Sequence, residues 1–269
     1  MMMRFIYHHF GRALRLASLI FLAGSCTVYA PMQPTMPLLR AAGQAEGTAS
    51  IQPNGRVEIT GAVSPARHVL LTAGGTVCPR LGSESFLVSR QYEVGGGAYL
   101  PLGDKWLLNG LGGYGQAINN RGYKDLGFLF FAPTYSEYSA RYSKVFGQVG
   151  IAKMQERYAI GATYRLTQVS FSSLTSVRHG DLPLARMLRH EVLLFVRHTW
   201  GYGTRGQWES LVTAGLSGSG TPKLDDSPGA PGYGAAAYDA NRNLLPAFMA
   251  SLGVVYRPRW QRAATAPAP

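Results

Sequence analysis

From Gln44 to Arg257 the chain alternates apolar and polar side chains with a period of two. That period belongs to strands with one apolar and one polar face. It predicts ten strands, at 44–53, 56–65, 68–79, 86–101, 105–118, 141–154, 158–173, 187–202, 206–218 and 244–257. On the last three, one phase holds Leu188, Val192, Leu194 and Val196, then Val212, Ala214 and Leu216, then Phe248, Ala250, Leu252 and Val254. The opposite phase holds Arg189, Glu191, Arg197, Glu209, Thr213 and Ser251. A closed sheet in hydrocarbon needs an oily exterior and no unpaired backbone edge. The expected fold is therefore all-β, an antiparallel up-and-down transmembrane β-barrel of about ten strands.

Connection lengths repeat the message. Pro65-Ala66-Arg67, Leu102-Gly103-Asp104, Gln155-Glu156-Arg157 and Gly203-Thr204-Arg205 are short, whereas 119–140, 174–186 and 219–243 are long. Short periplasmic turns facing long external loops are the outer-membrane arrangement. Pro53-Asn54-Gly55 is a tight hairpin on the long side. Trp106, Tyr158, Trp200, Tyr202, Trp208 and Tyr256 share the lipid-facing phase near the short-turn ends, where amphipathic rings meet headgroups.

The opposite phase also places Glu46, Arg56, Glu58, Glu93, Lys144, Arg165, Arg189, Glu191 and Arg197 in the lumen. A barrel this narrow is filled by its own side chains. Unpartnered buried ions are costly, so opposite charges are expected to pair into a plug; the alternative is a narrow selective pore.

Ahead of the barrel, Arg4, Arg12 and Arg15 precede an apolar run, Leu16 to Ala23, far shorter than the roughly 20 residues of a spanning helix. Residues 1–25 read as a cleaved export signal. Leu22-Ala23-Gly24-Ser25-Cys26 resembles a lipoprotein lipobox, with Ala23 where a branched aliphatic is commonest. That resemblance implies a diacylated Cys26, with palmitate-type chains contributing about 0.8 kcal/mol per buried methylene. An ordinary signal with a structural cysteine is the alternative, and a Cys26–Cys78 bridge would then be open to the chain. Residues 26–43, with Pro31, Pro34 and Pro37, read as a lipid-anchored tether, and 258–269 as a disordered periplasmic tail. Both ends of the mature chain are expected in the periplasm.

Cys26, Tyr29 and Pro31, then Leu38-Leu39, then Gly43 and Glu46 leading into the first strand, resemble small Bacteroidota outer-membrane β-barrel lipoproteins. The resemblance implies an outer-membrane barrel of no defined activity.

Charge and chemistry change this picture little. Subtracting the signal's three arginines from the formal +12 leaves +9 on the mature chain. Without a recognition helix or basic cluster this does not point to nucleic acid; anionic headgroups suit it better. Gly110-Leu111-Gly112-Gly113-Tyr114-Gly115 satisfies the letter of a dinucleotide fingerprint, but a strand end follows where a helix is required. Those glycines, with Gly95-Gly96-Gly97, fit close strand approach instead. His179-Gly180-Asp181 and Ser170, Ser172 and Ser173 would serve a rim hydrolase only if they converged. Asp225-Asp226 lacks calcium-loop spacing. No cofactor, metal or catalytic residue is expected. Outer-membrane lipids are the expected partners, together with an extracellular or envelope protein at the outer loops. Phe128, Phe130, Phe131, Tyr135 and Tyr138 offer either such a contact surface or the packed tops of strands five and six. The class rival is a soluble periplasmic lipocalin-like barrel holding an apolar ligand.

Overall fold

Ten antiparallel strands close on themselves in the computed structural model, which describes residues 27–83, 85–125, 134–202, 206–225, 227 and 234–258. The strands are β1 (Ala45–Ile51), β2 (Val57–Val63), β3 (Val69–Cys78), β4 (Phe86–Leu102), β5 (Trp106–Asp125), β6 (Thr134–Met154), β7 (Tyr158–Ser176), β9 (Arg186–Tyr202), β10 (Gly206–Ser219) and β11 (Ala247–Pro258). Between β7 and β9, the two-residue β8 (Gly180–Asp181) only extends the edge of β7. Each wall strand pairs with its sequence neighbours, β7 with β9 across that short piece, and the seam is β1 against β11 from Gly47↔Tyr256 to Ile51↔Leu252.

The faces sort as the alternation requires. Ile59, Val94, Val149, Ile160, Leu194, Leu216 and Leu252 are exposed on the outside, Leu194 at 59% and Leu252 at 64%. Arg56, Lys144, Arg189 and Glu191, each at 1% or less, point inward. A soluble protein sorts these classes the other way. Glycine in β4–β6 admits bulky inward neighbours: a Cβ on Gly113 would lie 2.4 Å from the Phe146 ring, which itself stacks 4.3 Å from the Arg165 guanidinium. The fingerprint-like glycines are thus strand residues, and no helix follows them.

Several expectations need correction. Residues 119–140 are not mainly a loop, because β5 and β6 run on as a paired hairpin through Asp125↔Thr134, where Tyr123 and Tyr138 stack with centroids 5.8 Å apart. Phe128, Phe130 and Phe131 lie outside the described residues. The connection after β10 carries a short helix, α1 (Ala235–Arg242), that strand periodicity gave no hint of. β1 and β2 are seven residues each, shorter than expected.

The largest correction concerns the segment read as a tether. Thr27 to Leu39 run inside the wall, and Val28, Met32 and Leu39 are each at 1% exposure or less. We refer to residues 27–40 as the strap. At one end Arg40 donates to the carbonyls of Gly103 and Asp104 in the β4–β5 turn, both at 2.6 Å. At the other, Thr27 donates through Oγ1 to the carbonyl of Asn243, just past α1. Thr27 therefore lies at the end of the long connections and Pro258, paired with Gly206, at the end of the short turns. The two ends of the described chain do not share a side, contrary to the expectation of a common periplasmic location.

Candidate functional site

A barrel lumen can conduct, hold a ligand or be filled, and the strap decides which groups remain for any of these. Its backbone is extended, with no sheet partner, so its polar groups need side-chain partners. Pro31, Pro34 and Pro37 each lack an N–H, which removes three donors the lumen would otherwise have to match. Six of its carbonyls accept from side chains of the wall. Arg121 reaches Thr27 at 3.2 Å, Asn119 reaches Val28 at 3.0 Å, and Gln91 reaches Ala30 at 2.7 Å. Further down, Arg56 holds Pro31 at 2.8 Å, Gln148 holds Thr35 at 2.6 Å and Arg197 holds Met36 at 2.6 Å. The carboxylates take the strap's donors: Glu58 accepts from the Gln33 N–H at 3.2 Å, Glu46 from the Leu38 N–H at 3.2 Å, and Glu191 from the Tyr29 hydroxyl at 2.8 Å.

All nine ionisable residues assigned to the lumen by phase are buried there, seven of them in three charge groups, while Glu191 accepts from the hydroxyls of Tyr29, Thr167 and Ser217. Midway, Glu93 bridges Lys144 and Arg165, with Arg165 at 3.0 Å and also on Gln148. At the short-turn end Glu46 takes Arg197 at 3.2 Å and Arg257 at 3.1 Å, and Arg257 continues to Glu209 at 3.2 Å. Toward the other end, Arg56 lies 3.8 Å from Glu58. Arg189 forms no carboxylate pair among the described residues; it donates to the Ser217 hydroxyl and carbonyl and to the Leu245 carbonyl. The expected opposite-charge pairing therefore describes only part of the lumen, because strap carbonyls occupy several of the cations. Arg257 was missed in sequence although it shares the phase of Ser251 and Val255; its place at a strand terminus concealed it.

Two spaces beside the middle of the strap measure about 30 Å³ and about 10 Å³, each at most room for a water, and a third of about 270 Å³ opens at the short-turn end beside Leu38, Leu39 and Arg40. Making the strap fit also depends on small wall residues: a Cβ on Gly150 would lie 2.9 Å from the Met36 sulfur and 2.7 Å from Asn109 Oδ1. Gly150→Leu is expected to cost about 1–3 kcal/mol of stability through overpacking. A lowered thermal midpoint in detergent checks it, and an unchanged one would put Met36 elsewhere.

Outside, Trp106, Tyr158, Trp200 and Trp208 are exposed near the short-turn end. Trp208 packs between Trp200 and Tyr256, its ring tilted to both with centroids 6.2 and 4.6 Å away, and Lys153 sits 5.7 Å over Trp106. The side chain of Tyr202 lies outside the described residues. A second set, Tyr92, Tyr114 and Tyr164, is exposed farther along β4, β5 and β7, ten, eight and six residues from the short-turn ends of those strands. Tyr114 is eight residues beyond Trp106 on β5. At about 3.4 Å per residue and a strand tilt of roughly 40°, Trp106 and Tyr114 stand about 20 Å apart along the barrel axis. Arg90 and Arg141, both paired with Ile118, lie beyond Tyr92 and Tyr114.

Among the described residues no hydrogen bond joins His179 to Ser170, Ser172 or Ser173. Ser172 donates to the Arg141 carbonyl. His179 Nε2 lies 3.7 Å from the Asp239 carboxylate, to which Ser176 also donates at 3.1 Å, so the acid stands between serine and histidine and ties α1 to β7. A general base must instead touch the nucleophile. The Ser227 hydroxyl and N–H hold the Asp225 carboxyl below the usual carboxylate range, closing a local turn. Asp226 lies outside the described residues. Cys78 is a buried free thiol, 3.6 Å from the Asn54 carbonyl. Cys26, the signal, residues 203–205 and residues 259–269 lie outside the described residues, and with Cys26 the alternative bridge.

No protein family, curated protein or solved structure matches the chain.

Proposed function

We propose that this protein is a lipid-anchored outer-membrane β-barrel of structural or interaction type, whose lumen is closed by its own strap and the charge network around it. The observation that carries the reading is the sorting of the wall, aliphatic outward and ionised inward, over the full circumference of a closed sheet. The aromatic band near the short turns supports a bilayer as the solvent of that exterior. The lipobox-like Cys26 and the resemblance to small Bacteroidota lipoproteins support the anchor and the compartment. Membrane lipids are then the first partners, and the long connections with α1 are the surface offered to an envelope or extracellular protein.

The rival readings fare less well on particular residues. A lipocalin-like cup needs an apolar cavity, whereas Glu58, Glu93, Arg165 and Glu191 line this interior and the strap fills it. A pore needs the strap displaced. A hydrolase needs a histidine against its serine, which the Asp239 clamp does not provide.

Two observations test the reading together. The folded protein is expected to fractionate with outer membrane even when Cys26 is replaced by serine, and to run faster on a gel before boiling than after. Release of the Cys26→Ser protein into the soluble fraction would overturn it. Replacing Trp200 and Trp208 with alanine is expected to lower insertion yield into preformed liposomes several-fold, read by the same gel shift. An unchanged yield would remove the aromatic ring from the argument.

A further inference from the structure

The geometry points to an N-terminus that crosses the membrane through the barrel's own lumen, so that the acyl anchor on Cys26 sits in the external leaflet while the C-terminal end stays periplasmic. This rests on the reading of the chain as an outer-membrane lipoprotein, and it reverses the periplasmic anchor that a tether would imply. The strap supplies the argument. Its 14 residues, at about 3.1 Å each for a proline-rich extended backbone, reach about 43 Å. That exceeds the roughly 30 Å hydrocarbon core.

Both ends of that reach are fixed. Arg40 is tied to the short turn between β4 and β5, and Gln33 sits midway with Oε1 accepting from Thr213 and Ser251 at 3.1 and 2.8 Å. Thr27 and the Val28 N–H are held by Asn243 at the far rim. One peptide bond separates Thr27 from Cys26, so an acyl chain on that cysteine is delivered beside α1 and the long connections. The leaflet there is the one those connections face. Beside the middle of the strap, at Met32–Met36, the spaces are only about 30 and 10 Å³ and leave no room for two acyl chains to be drawn through afterwards, the larger space of about 270 Å³ lying at the short-turn mouth beside Leu38, Leu39 and Arg40. The strap must therefore be in place before the β1–β11 seam closes around it.

The test uses the full chain in cells. An epitope inserted between Cys26 and Thr27 is expected to bind antibody on intact cells, and an epitope at the C-terminus only after permeabilisation. Staining of the first epitope only after permeabilisation, in protein that still shows the gel shift of a folded barrel, would overturn the proposal. A tag that prevents folding is bypassed by benzoylphenylalanine in place of Tyr29, whose ring lies 5.6 Å from Tyr142 and whose hydroxyl bonds Glu191. Irradiation in membranes is expected to join it to β6 or β9 peptides, and crosslinks confined to other proteins or lipid would overturn the threading. Mass analysis of the N-terminal peptide separates the parent reading from this one. An unmodified Cys26 would overturn the lipoprotein reading and the leaflet assignment, whereas an acylated Cys26 without the crosslink would overturn the threading alone.

Discussion

Glu93→Leu is expected to destabilise the folded barrel by about 3–5 kcal/mol, the range for removing one member of a buried ionic cluster. Among the described residues Glu93 is the only carboxylate bonded to both Lys144 and Arg165, and all three are nearly inaccessible. Leucine would leave two cations in the lumen with Gln91 and Gln148 as their remaining acceptors. The cost is the desolvation of charges left unpaired, so Glu93→Gln, which keeps an acceptor, is expected to lose less. Urea or heat unfolding monitored by the gel shift measures both. A leucine variant as stable as the parent would show that water reaches Lys144 and Arg165, and the plugged lumen would then be wrong.

Replacing Met32 to Leu39 by a glycine-serine stretch of equal length is expected to have the second large effect. Arg56 and Gln148 would lose nothing of the covalent wall, but the new chain would have no proline-imposed extension and no Met36 or Leu39 to bury. A flexible stretch must lose backbone entropy of about 1–2 kcal/mol per residue to occupy the same path. Arginine–carbonyl bonds of about 1.5–3 kcal/mol each do not recover that over eight residues. The strap is expected to leave its lower half empty, and single-channel recordings in planar bilayers should then show conductance where the parent is silent. Silence from the variant, with an unchanged melting midpoint, would mean that the wall charges alone close the lumen.

The wall was legible from the chain because its signal is carried by side chains at a fixed period. Leu194 and Glu191 fall on opposite faces by parity alone, and all ten strands were found within a few residues apart from the extended tops of β5 and β6. Those tops were legible too: Tyr123 and Tyr138 alternate with polar residues on the strands below them. The strap was not. Prolines and the absence of periodicity mark a linker as well as they mark an extended insert, and the wall recognises mostly its carbonyls, which every residue carries. One clue stood in view. Met32, Met36, Leu38 and Leu39 are more apolar than a solvated tether needs, and Arg56, 3.8 Å from Glu58, gives another of its donors to the Pro31 carbonyl. α1 was hidden for a simpler reason, being a single short helix after an uncapped Gly234.

Power saturation of spin labels addresses the central claim most directly. In protein reconstituted into liposomes with Cys78 replaced by serine, labels at Leu194 and Leu252, outward positions of β9 and β11 on either side of β10, are expected to relax strongly with oxygen and weakly with a water-soluble nickel complex. A label at Ser251, on the inward phase beside Gln33, is expected to reach neither. Strong relaxation by nickel at Leu194 and Leu252 would place water against the aliphatic exterior and contradict the account.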